Sequence, residues 1–448
     1  MLEYAREITN KMIECASKKF DVAQAVYKSE TLVSINVFDE QISNYESSTS
    51  SGYSLGGKIN SHIGHASCDV INDDMVSKMV DAAYENAILK DDEDEEFIYC
   101  DKDNPILFVD NKAKDAMEII YDNIAPIALL IEKKLKASHE SIISVDDVVI
   151  SYRQSSLLKK NSLGLDLSMN EESIFVACEI RGKQGDDTKS IAHFWYGNDL
   201  KLFEIDKFVE EAKDKLISRY NASSVPSSTY NVIMKNEAMI SMLEAYFDVF
   251  SATLMQKGLS LLNGKVGKKV ASDMLSIVEK PTYDKALIMF PFDMEGVITS
   301  EKYIIKDGIF VNPLYDLKAA YKENKTSTGN GFGAIRATNV TIESNEELIS
   351  YDDMIEKLEN GLIITDLNGL HAGINKISGD FSLLCEGYLV KDKKIVSAVE
   401  QITISDNFFD FMNKILYMGE DIVARPSNEG EMFCPSIFFE KIAIAGEG

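Results

Sequence analysis

Basic residues are scarce in this 448-residue sequence. Its 46 lysines and arginines stand against 73 aspartates and glutamates, which gives a formal net charge of −27. A field of this sign repels the phosphate backbone of nucleic acids and opposes docking on anionic lipid, and no compact basic stretch offsets it. We therefore expect a protein that binds neither nucleic acid nor membranes.

Long apolar runs and clustered cysteines are also lacking. The longest apolar runs, such as residues 127–131, are far shorter than the roughly 20 residues that a membrane-spanning helix needs. Residues 1–20 interleave charged and apolar side chains, unlike a signal peptide. The six cysteines are scattered without a CxxC pair, whereas a disulfide framework or a structural zinc site brings cysteines together. These absences predict a cytoplasmic protein whose cysteines are reduced and mostly buried.

The first half of the sequence predicts helices that alternate with groups of strands. The expected helices lie at 2–18, 74–89, 113–136 and 204–220, and the expected strands at 22–28, 31–37, 141–152, 174–181 and 190–196. Ser/Gly-rich residues 48–57 are interpreted as a polar turn, and acidic residues 91–96 as a solvated linker. Because this order recurs, residues 1–100 and 105–220 are candidate halves of an internal duplication.

The second half begins after a short polar segment, NASSVPSST at 221–229, which is the best candidate for a domain boundary. Beyond it we expect a strand at 230–234, a helix at 236–250, another helix at 407–418 and otherwise β structure. Asp307-Gly308 and the KDKK stretch at 391–394 predict β-hairpins. The predicted fold is therefore α+β with two domains. These are an N-terminal helix/sheet domain at 1–220 and a C-terminal β-rich domain at 230–448 with a barrel-like curved sheet.

Five segments of the second half carry the most specific signal. They are PFDMEGV (291–297), KDG (306–308), STGNGFG (327–333), GDFSLLCEGYLV (379–390) and ITISDNFFDFMNKILYMGEDI (402–422). In this order, and with KKNSLGLDLS (159–168) in the first half, they resemble the TldD/PmbA family and specifically its PmbA (TldE) branch. The resemblance covers essentially the whole chain. It implies a cytosolic metallopeptidase complex in which this chain pairs with a TldD-like catalytic subunit, or forms a homodimer without it, and acts on peptides or unfolded proteins.

The proteolytic branch of that family carries an HExxxH motif, in which two histidines bind a metal and the glutamate polarises a metal-bound water. By its position after the strand at 230–234, the matching stretch here is LEAYFD, with Leu243 and Asp248 in place of the histidines and Glu244 retained. A leucine side chain cannot bind a metal. The resemblance therefore implies no metal or other cofactor in this chain, and zinc or a similar metal in the TldD-like partner.

Glu244 and Asp248 allow two interpretations. Four residues apart on one helix, they would share a face and could act as a carboxylate pair. A solvated or salt-bridged acidic face beside buried Met239, Leu243 and Phe250 is the simpler interpretation, since charged faces are usual on helices at a protein surface.

Histidine and cysteine give few further candidates. His371, in NGLHAGIN, is the most interesting histidine because the resemblance places its segment near the substrate cleft. His62 and His65 have the spacing of a metal pair but lack further ligands nearby. Cys385 and Cys434 lie in apolar strand sequence, where burial raises the pKa of a thiol and opposes a role as nucleophile.

The glycine-rich segment STGNGFG has neither of the spacings typical of nucleotide-binding loops. Glycine lets a backbone approach a bound peptide closely, and the resemblance places Thr328, Gly329, Asn330 and Gly331 at the substrate cleft. A tightly turned loop is the alternative. Three acidic residues in turn-like sequence are interpreted as turn caps: Asp293, Glu295 and Asp380.

Two rival functions stay open. One is a stand-alone binding or regulatory protein, in line with the family's older description as a modulator of DNA gyrase. The other is an independent hydrolase that uses Glu244, Asp248 or His371. Capture of a topoisomerase subunit would favour the first, and peptidase activity of the isolated chain that is lost in Glu244→Gln would favour the second.

Overall fold

The computed structural model describes residues 2–69, 71–90, 95–99 and 106–447. The chain folds into two compact units. The first takes in the described residues of 1–183, 190–214 and 295–297, and the second those of 184–189, 215–294 and 298–448. The architecture combines helices with largely antiparallel sheets, so the α+β prediction is confirmed. Cys100 and residues 91–94 of the acidic run lie outside the described residues.

A long twisted sheet organises the first unit. The helices that lie there, wholly or for the most part, are α1 (Leu2–Ala16), α2 (Asp73–Leu89), α3 (Tyr121–Ser138) and α4 (Ile205–Ile217). The strands are β1 (Val22–Phe38), β2 (Gln41–Ile59), β3 (His62–Cys68), β4 (Ile106–Asp110), β5 (Ile142–Asn161), β6 (Asp166–Gln184) and β7 (Asp187–Gly197). They follow the order β3-β2-β1-β5-β6-β4, and β7 also pairs with β6. Helices α1 and α2 cover one end of the sheet, and α3 packs against β5 and β1 at the other end.

Two predictions for this unit are wrong. The strands expected at 22–28 and 31–37 form one continuous strand, β1, because it is paired with β2 on one side and β5 on the other along nearly its whole length. Its buried residues alternate towards both ends of the strand, at Ala23, Ala25, Tyr27, Val33, Ile35 and Val37, but not in its middle. Residues 48–57, expected to form a turn, instead lie within β2. Backbone hydrogen bonds to β1 hold this Ser/Gly-rich stretch as a strand although few of its side chains are apolar.

The helix expected at 113–136 begins later, at Tyr121, and Pro126 does not interrupt it. Pro126 lies on the exposed face early in α3, where water can satisfy the carbonyl that its missing N–H leaves open. The order helix, three strands, helix occurs twice in this unit, as α1-β1-β2-β3-α2 and α3-β5-β6-β7-α4. A duplication, and the domain limits 1–220 and 230–448, stay predictions.

The second unit contains two sheets with helices between and around them. Its helices are α5 (Asn236–Tyr246), α6 (Ala252–Gln256), α7 (Leu317–Lys322), α8 (Tyr351–Leu358) and α9 (Phe408–Met412). The strands of one sheet are β8 (Ser228–Met234), β13 (Gly361–Asn368), β14 (Asp380–Lys391), β15 (Lys394–Asn407), β16 (Ile415–Met418) and β19 (Ile437–Ala445). Those of the other are β9 (Leu275–Glu279), β10 (Lys302–Lys306), β11 (Ile309–Phe310), β12 (Val340–Ser344), β17 (Val423–Ser427) and β18 (Gly430–Cys434).

The first of these sheets closes into a barrel, as the sequence predicted. Its order is β15-β14-β13-β8-β19, and β19 pairs back with β15 through the register Thr403↔Ala445 to Ser405↔Ala443. The second sheet runs β11-β10-β9-β12-β18-β17. Helix α5 packs against β13 of the barrel and against β17 and β18 of the second sheet, so it lies in the core between them.

In the second half, the predictions made from turn-forming residues are confirmed. Both expected hairpins form, with Asp307 and Gly308, and then Asp392 and Lys393, at positive φ between the paired strands. The helix expected at 407–418 is shorter: α9 ends at Met412, and strand β16 follows, because these apolar residues are needed in the sheet. No helix among the described residues is both long enough and apolar enough to cross a membrane.

Candidate functional site

An open cleft of about 590 Å³ in the second unit brings together two of the side chains singled out from the sequence. Glu244 comes from α5, and His371 from the loop that follows β13. The lining residues are Ser241, Glu244, Ala245, Leu370, His371, Ile374 and Lys376. More than a hundred sequence positions separate the residues of α5 from those of the loop, so only the fold makes the two groups neighbours.

The start of α5 is fixed by a partly buried aspartate, Asp421. Lys235 Nζ lies 2.7 Å from Asp421 Oδ2, and Asn236 Nδ2 donates to the Asp421 carbonyl oxygen at 2.8 Å. Ser436 donates to the same carboxylate through its backbone N–H and its hydroxyl. Burial alone would raise the pKa of Asp421, but the bonds from Lys235 and Ser436 lower it below its usual range. The carboxylate therefore stays charged and anchors the helix that carries Glu244.

The apolar face of α5 decides which side chains reach the cleft. Met239, Leu243 and Tyr246 are fully buried in the core between the sheets, which leaves Ser241 and Glu244 on the opposite side. Tyr246 stacks on Phe408 with ring centroids 4.3 Å apart.

The hydroxyl of Tyr246 ties α5 to the far wall of the cleft. It lies 3.1 Å from the carbonyl oxygen of Gly379 and 3.0 Å from that of Asp380 and donates to this pair. These residues close the loop that begins after β13 and carries His371. Within that loop, the N–H groups of Ala372 and Gly373 donate to the Gly369 carbonyl. The Tyr246 hydroxyl thus links the helix that carries Glu244 to the end of the loop that carries His371.

Glu244 is the acidic side chain of this cleft, and its environment shifts the pKa of its carboxyl. Loss of surrounding water raises the pKa of its carboxyl above the usual range, and a hydrogen bond from the backbone N–H of Asn428 only partly opposes that shift. When protonated, the carboxyl donates a hydrogen bond, and when ionised it accepts. An exposed imidazole, His371, lies across the same cleft.

Asp248 does not form a carboxylate pair with Glu244 in this structure. The α-helix ends at Tyr246, and the chain continues as a 3-10 turn, Phe247–Phe250, which changes the direction of the following side chains. Asp248 Oδ2 instead lies 2.6 Å from Nζ of Lys376, on the rim of the cleft. The salt-bridged interpretation therefore describes Asp248, and the cleft gains a lysine that no sequence motif indicated.

The glycine-rich segment lies in a separate, closed polar cluster. Asn330 is fully buried, and its Nδ2 donates to both carboxylate oxygens of Glu279, at 2.9 and 3.0 Å. Lys302 Nζ lies 2.7 Å from the same carboxylate, and Thr338 donates to it through its backbone N–H and its hydroxyl. Thr328 bonds to the Asn330 side chain at 2.7 Å. These contacts fix the loop from within, and its place in a substrate cleft stays a prediction.

A buried aspartate also holds this segment. Gly331 donates its N–H to Asp293 Oδ2 at 2.8 Å, and Asp293 is fully buried. The interpretation of Asp293 as the cap of its own turn stays a prediction. Gly329 adopts a positive φ of 74°, which glycine reaches without strain. The glycine spacing in the sequence therefore indicates a tight turn, which was the alternative interpretation of this segment. No sequence pattern indicated that buried Glu279 and Lys302 would hold that turn.

The residues at the motif positions do not fit a metal. The Leu243 side chain is 1% exposed and offers only carbon, and the Asp248 carboxylate is engaged by Lys376. Over the described ranges, no three histidine, cysteine, aspartate or glutamate side chains converge in a way that could hold a metal ion. His62 and His65 lie three apart on β3 and therefore point to opposite faces of the sheet.

The two remaining cysteine candidates and one further histidine lie in structural surroundings. His193 Nε2 lies 3.3 Å from Glu211 Oε2, and its ring packs on Phe208. Burial raises the pKa of the Cys385 thiol to about 12 and that of Cys434 well above its usual range. Neither thiol would be ionised near neutral pH, which agrees with the interpretation of both as buried apolar residues.

Known proteins of one family resemble this chain in sequence and in fold. Residues 227–446 match the model of the PmbA/TldA metallopeptidase C-terminal domain. The metalloprotease PmbA of Escherichia coli O157:H7 is 24% identical over 449 residues, which cover 98% of this chain and 96% of that protein. A candidate modulator of DNA gyrase from Thermotoga maritima superposes with a TM-score of 0.86 at 26% identity, over 98% of this chain and 100% of that one. TldE from Thermococcus kodakarensis shares the fold, with a TM-score of 0.83 at 22% identity over 98% and 100% of the two chains.

Proposed function

This chain belongs to the TldD/PmbA family, and from that premise we propose that it is the non-catalytic, PmbA (TldE)-like subunit of a two-chain metallopeptidase. The complex would work in the cytoplasm on peptides and unfolded proteins. A TldD-like chain would hold zinc or a similar metal, which supplies the activated water for peptide hydrolysis. This chain would bind substrate and complete the assembly.

The observation that carries the proposal is the side-chain chemistry at the motif positions of α5. Leu243 is buried among apolar side chains, and Asp248 is paired with Lys376 at 2.6 Å. Neither position supplies a histidine, and their surroundings are filled by core packing and by an ion pair. Glu244, the motif residue that is retained, faces the cleft, but the two histidines that would bind a metal beside it are replaced by Leu243 and Asp248.

The cleft around Glu244 suits a short stretch of polypeptide. Leu370 and Ile374 provide an apolar wall, and Glu244 and Lys376 provide charges of opposite sign at its edges. A peptide presents apolar side chains, main-chain amides and charged groups within a few residues, and such a cleft can hold them without selecting one sequence. We assign Glu244, His371 and Lys376 as its polar contacts.

Peptidase assays of reconstituted mixtures test the subunit assignment. The full-length chain alone should not cleave an unstructured fluorogenic peptide, and addition of a TldD-like subunit should give cleavage that a chelator abolishes. Glu244→Gln should weaken substrate binding by the mixture, whereas Glu356→Gln, an exposed position on α8, should not. A mixture that never cleaves would contradict the proposal. Cleavage by the isolated chain that disappears in Glu244→Gln would instead establish an independent hydrolase.

Metal content gives a second, independent test. Plasma mass spectrometry of the isolated chain, after gel filtration without chelator, should find metal far below one equivalent. Near-stoichiometric zinc would overturn the assignment, and variants of His371, His62 and His65 would then locate the ligands.

The likeness to the Thermotoga protein favours one alternative, a regulatory partner of DNA gyrase. The strongly acidic chain would then engage a basic surface on a protein and not DNA itself. Capture of purified gyrase subunits by this chain, in the absence of any TldD-like chain, would support that alternative.

A further inference from the structure

The charges of the open cleft in the second unit do not cancel. Glu244 lines the cleft, and over the described part of the chain no lysine or arginine is paired with its carboxylate. Lys376 is the basic residue of the lining, but Asp248 Oδ2 lies 2.6 Å from its Nζ and offsets its charge. With a neutral imidazole at His371, the Lys376–Asp248 pair sums to zero and the Glu244 charge is left over. A cationic group is the ligand that this balance attracts.

The Glu244 carboxylate is held in place and still has room for a partner. It accepts a hydrogen bond from the backbone N–H of Asn428, which lies at a positive φ of 56° in the turn between β17 and β18. An ionised carboxylate has about four acceptor positions, so most of them stay available. The partial loss of water that raises the pKa of this carboxyl also makes a cationic partner more favourable than at a fully solvated site.

An apolar wall lies in the same cleft as this carboxylate. Ala245, Leu370 and Ile374 line the cleft, and Leu370 and Ile374 also pack against the core of the unit. Lysine and arginine side chains have an apolar stem that ends in a charge, so the stem can lie on such a wall while the charged end reaches a carboxylate. The N-terminus of a peptide carries its ammonium directly on the main chain and lacks that stem. The wall therefore favours a basic side chain over a terminal ammonium.

The loop that carries this wall is fixed by backbone hydrogen bonds. Ser382 of β14 donates its N–H to the Gly373 carbonyl, and Asn375 donates its N–H to the Asp380 carbonyl, each at 2.8 Å. Ile374 lies between these two bonded positions, so its side chain is held against the cleft by the backbone on both sides. A wall that is ordered before binding loses little conformational entropy when a ligand lies against it, which leaves more of the contact energy for affinity.

From this geometry we infer that the cleft recognises one basic side chain of a peptide substrate, and that Glu244 is the residue that sets the preference for lysine and arginine. The inference rests on the proposed function, because it takes the occupant of the cleft to be a peptide. It specifies a positive charge at a single position and leaves the rest of the peptide sequence unselected. Lys376 contributes differently: Asp248 engages its ammonium, and the remaining N–H groups can donate to main-chain carbonyls, which every peptide has.

Binding of a matched set of peptides tests the inference. The peptides share one short unstructured sequence, an acetylated N-terminus, an amidated C-terminus and one fluorophore, and they differ at one central residue, which is lysine, arginine, norleucine or glutamate. Fluorescence anisotropy with the full-length chain, at about pH 8 where imidazoles are ordinarily neutral, should give about three- to fivefold tighter binding of the lysine and arginine peptides than of the norleucine peptide. The glutamate peptide should bind most weakly. About 0.15 M salt limits the reach of the other acidic residues to about 8 Å.

Variants of the chain then locate the preference. Glu244→Gln should abolish the difference between the lysine and norleucine peptides. Glu356→Gln, which removes a charge of the same sign from an exposed position on α8, should leave that difference unchanged. Glu244→Lys should reverse the order, so that the glutamate peptide binds more tightly than the lysine peptide. Lys376→Ala should weaken binding of the norleucine peptide and increase the preference for lysine, because the Asp248 charge is then no longer offset. Melting curves show whether each variant is folded.

The possible outcomes separate this inference from the proposed function. Equal binding of the four peptides would overturn the preference and leave the cleft as an unselective peptide site. A preference that persists in Glu244→Gln would assign it to the acidic surface as a whole and would overturn the inference as well. If a free N-terminus gave the norleucine peptide the same gain as the lysine side chain, the site would belong to a terminal ammonium and the side-chain assignment would be wrong. Binding of none of the peptides, by the chain alone or with a TldD-like subunit, would contradict the substrate-binding role itself.

Discussion

The second unit contains two polar clusters of opposite character. Around Glu279, every partner points inward: the carboxylate is fully buried and bonded to Asn330, Lys302 and Thr338. Around Glu244, the carboxyl faces an open cleft, and the protein bond that opposes its raised pKa comes from the Asn428 backbone. The glycine-rich motif lies at the closed cluster and the altered metal motif at the open one. Conspicuous sequence spacing therefore coincides with a turn in the first case and with an open cleft in the second.

Among the substitutions that test this contrast, the largest effect on stability is expected at the closed cluster around Glu279. Glu279→Ala leaves the Lys302 ammonium in a nearly buried position without its carboxylate, and such a change costs about 3–5 kcal/mol of unfolding free energy. Chemical denaturation would measure the loss. The double variant Glu279→Gln with Lys302→Met should lose less, because it removes both charges and keeps an oxygen that can accept from Asn330 and Thr338. If the single variant were as stable as the wild type, the cluster would not be the support that its contacts describe.

Tyr246→Phe probes the connection between the two walls of the cleft. The change removes the hydroxyl that donates to the carbonyls of Gly379 and Asp380, which keep the backbone N–H groups of Phe408 and Asn375 as donors. We expect a loss of about 0.5–1.5 kcal/mol in unfolding free energy, the usual net value of one hydrogen bond. Hydrogen exchange of the loop that carries His371 should also become faster. A change in stability without a change in that loop would show that Tyr246 acts only in the core.

At the open cluster, a change should affect binding more than stability. Lys376→Ala removes an ion pair whose side chains are 40% and 54% exposed, so the unfolding free energy should change by less than about 1 kcal/mol. Binding of an unstructured fluorescent peptide, measured by anisotropy, should weaken several-fold. Lys357→Ala, at an exposed position on α8, serves as the control. Equal peptide binding by both variants would remove Lys376 from the site.

The contrast between the clusters also explains which features the sequence predicted. Turn signals such as Asp307-Gly308 act over two residues, and the barrel followed from many short β segments, so both could be inferred locally. The meeting of Glu244 with Lys376 depends on how α5 lies between two sheets, and no local pattern encodes that. The polar stretch of β2 was missed for a related reason. Its strand conformation comes from pairing with β1, and its own side chains are typical of a turn.

The smallest effect should appear in the pH dependence of stability, and it separates Glu244 from an ordinary surface carboxylate. Because folding raises the pKa of Glu244, the folded state holds its proton more tightly than the unfolded chain does. The stability that this provides is fully present below the unfolded pKa and is lost as pH rises through the folded pKa. Glu244→Gln keeps an acceptor for the Asn428 N–H and cannot ionise. Its melting temperature should therefore rise relative to the wild type as pH increases from about 4 to about 8, whereas Glu356→Gln should follow the wild type. A difference that is constant across this range would show that Glu244 is as well solvated as any exposed carboxylate, and the open cluster would then lose the electrostatic feature that distinguishes it as a site.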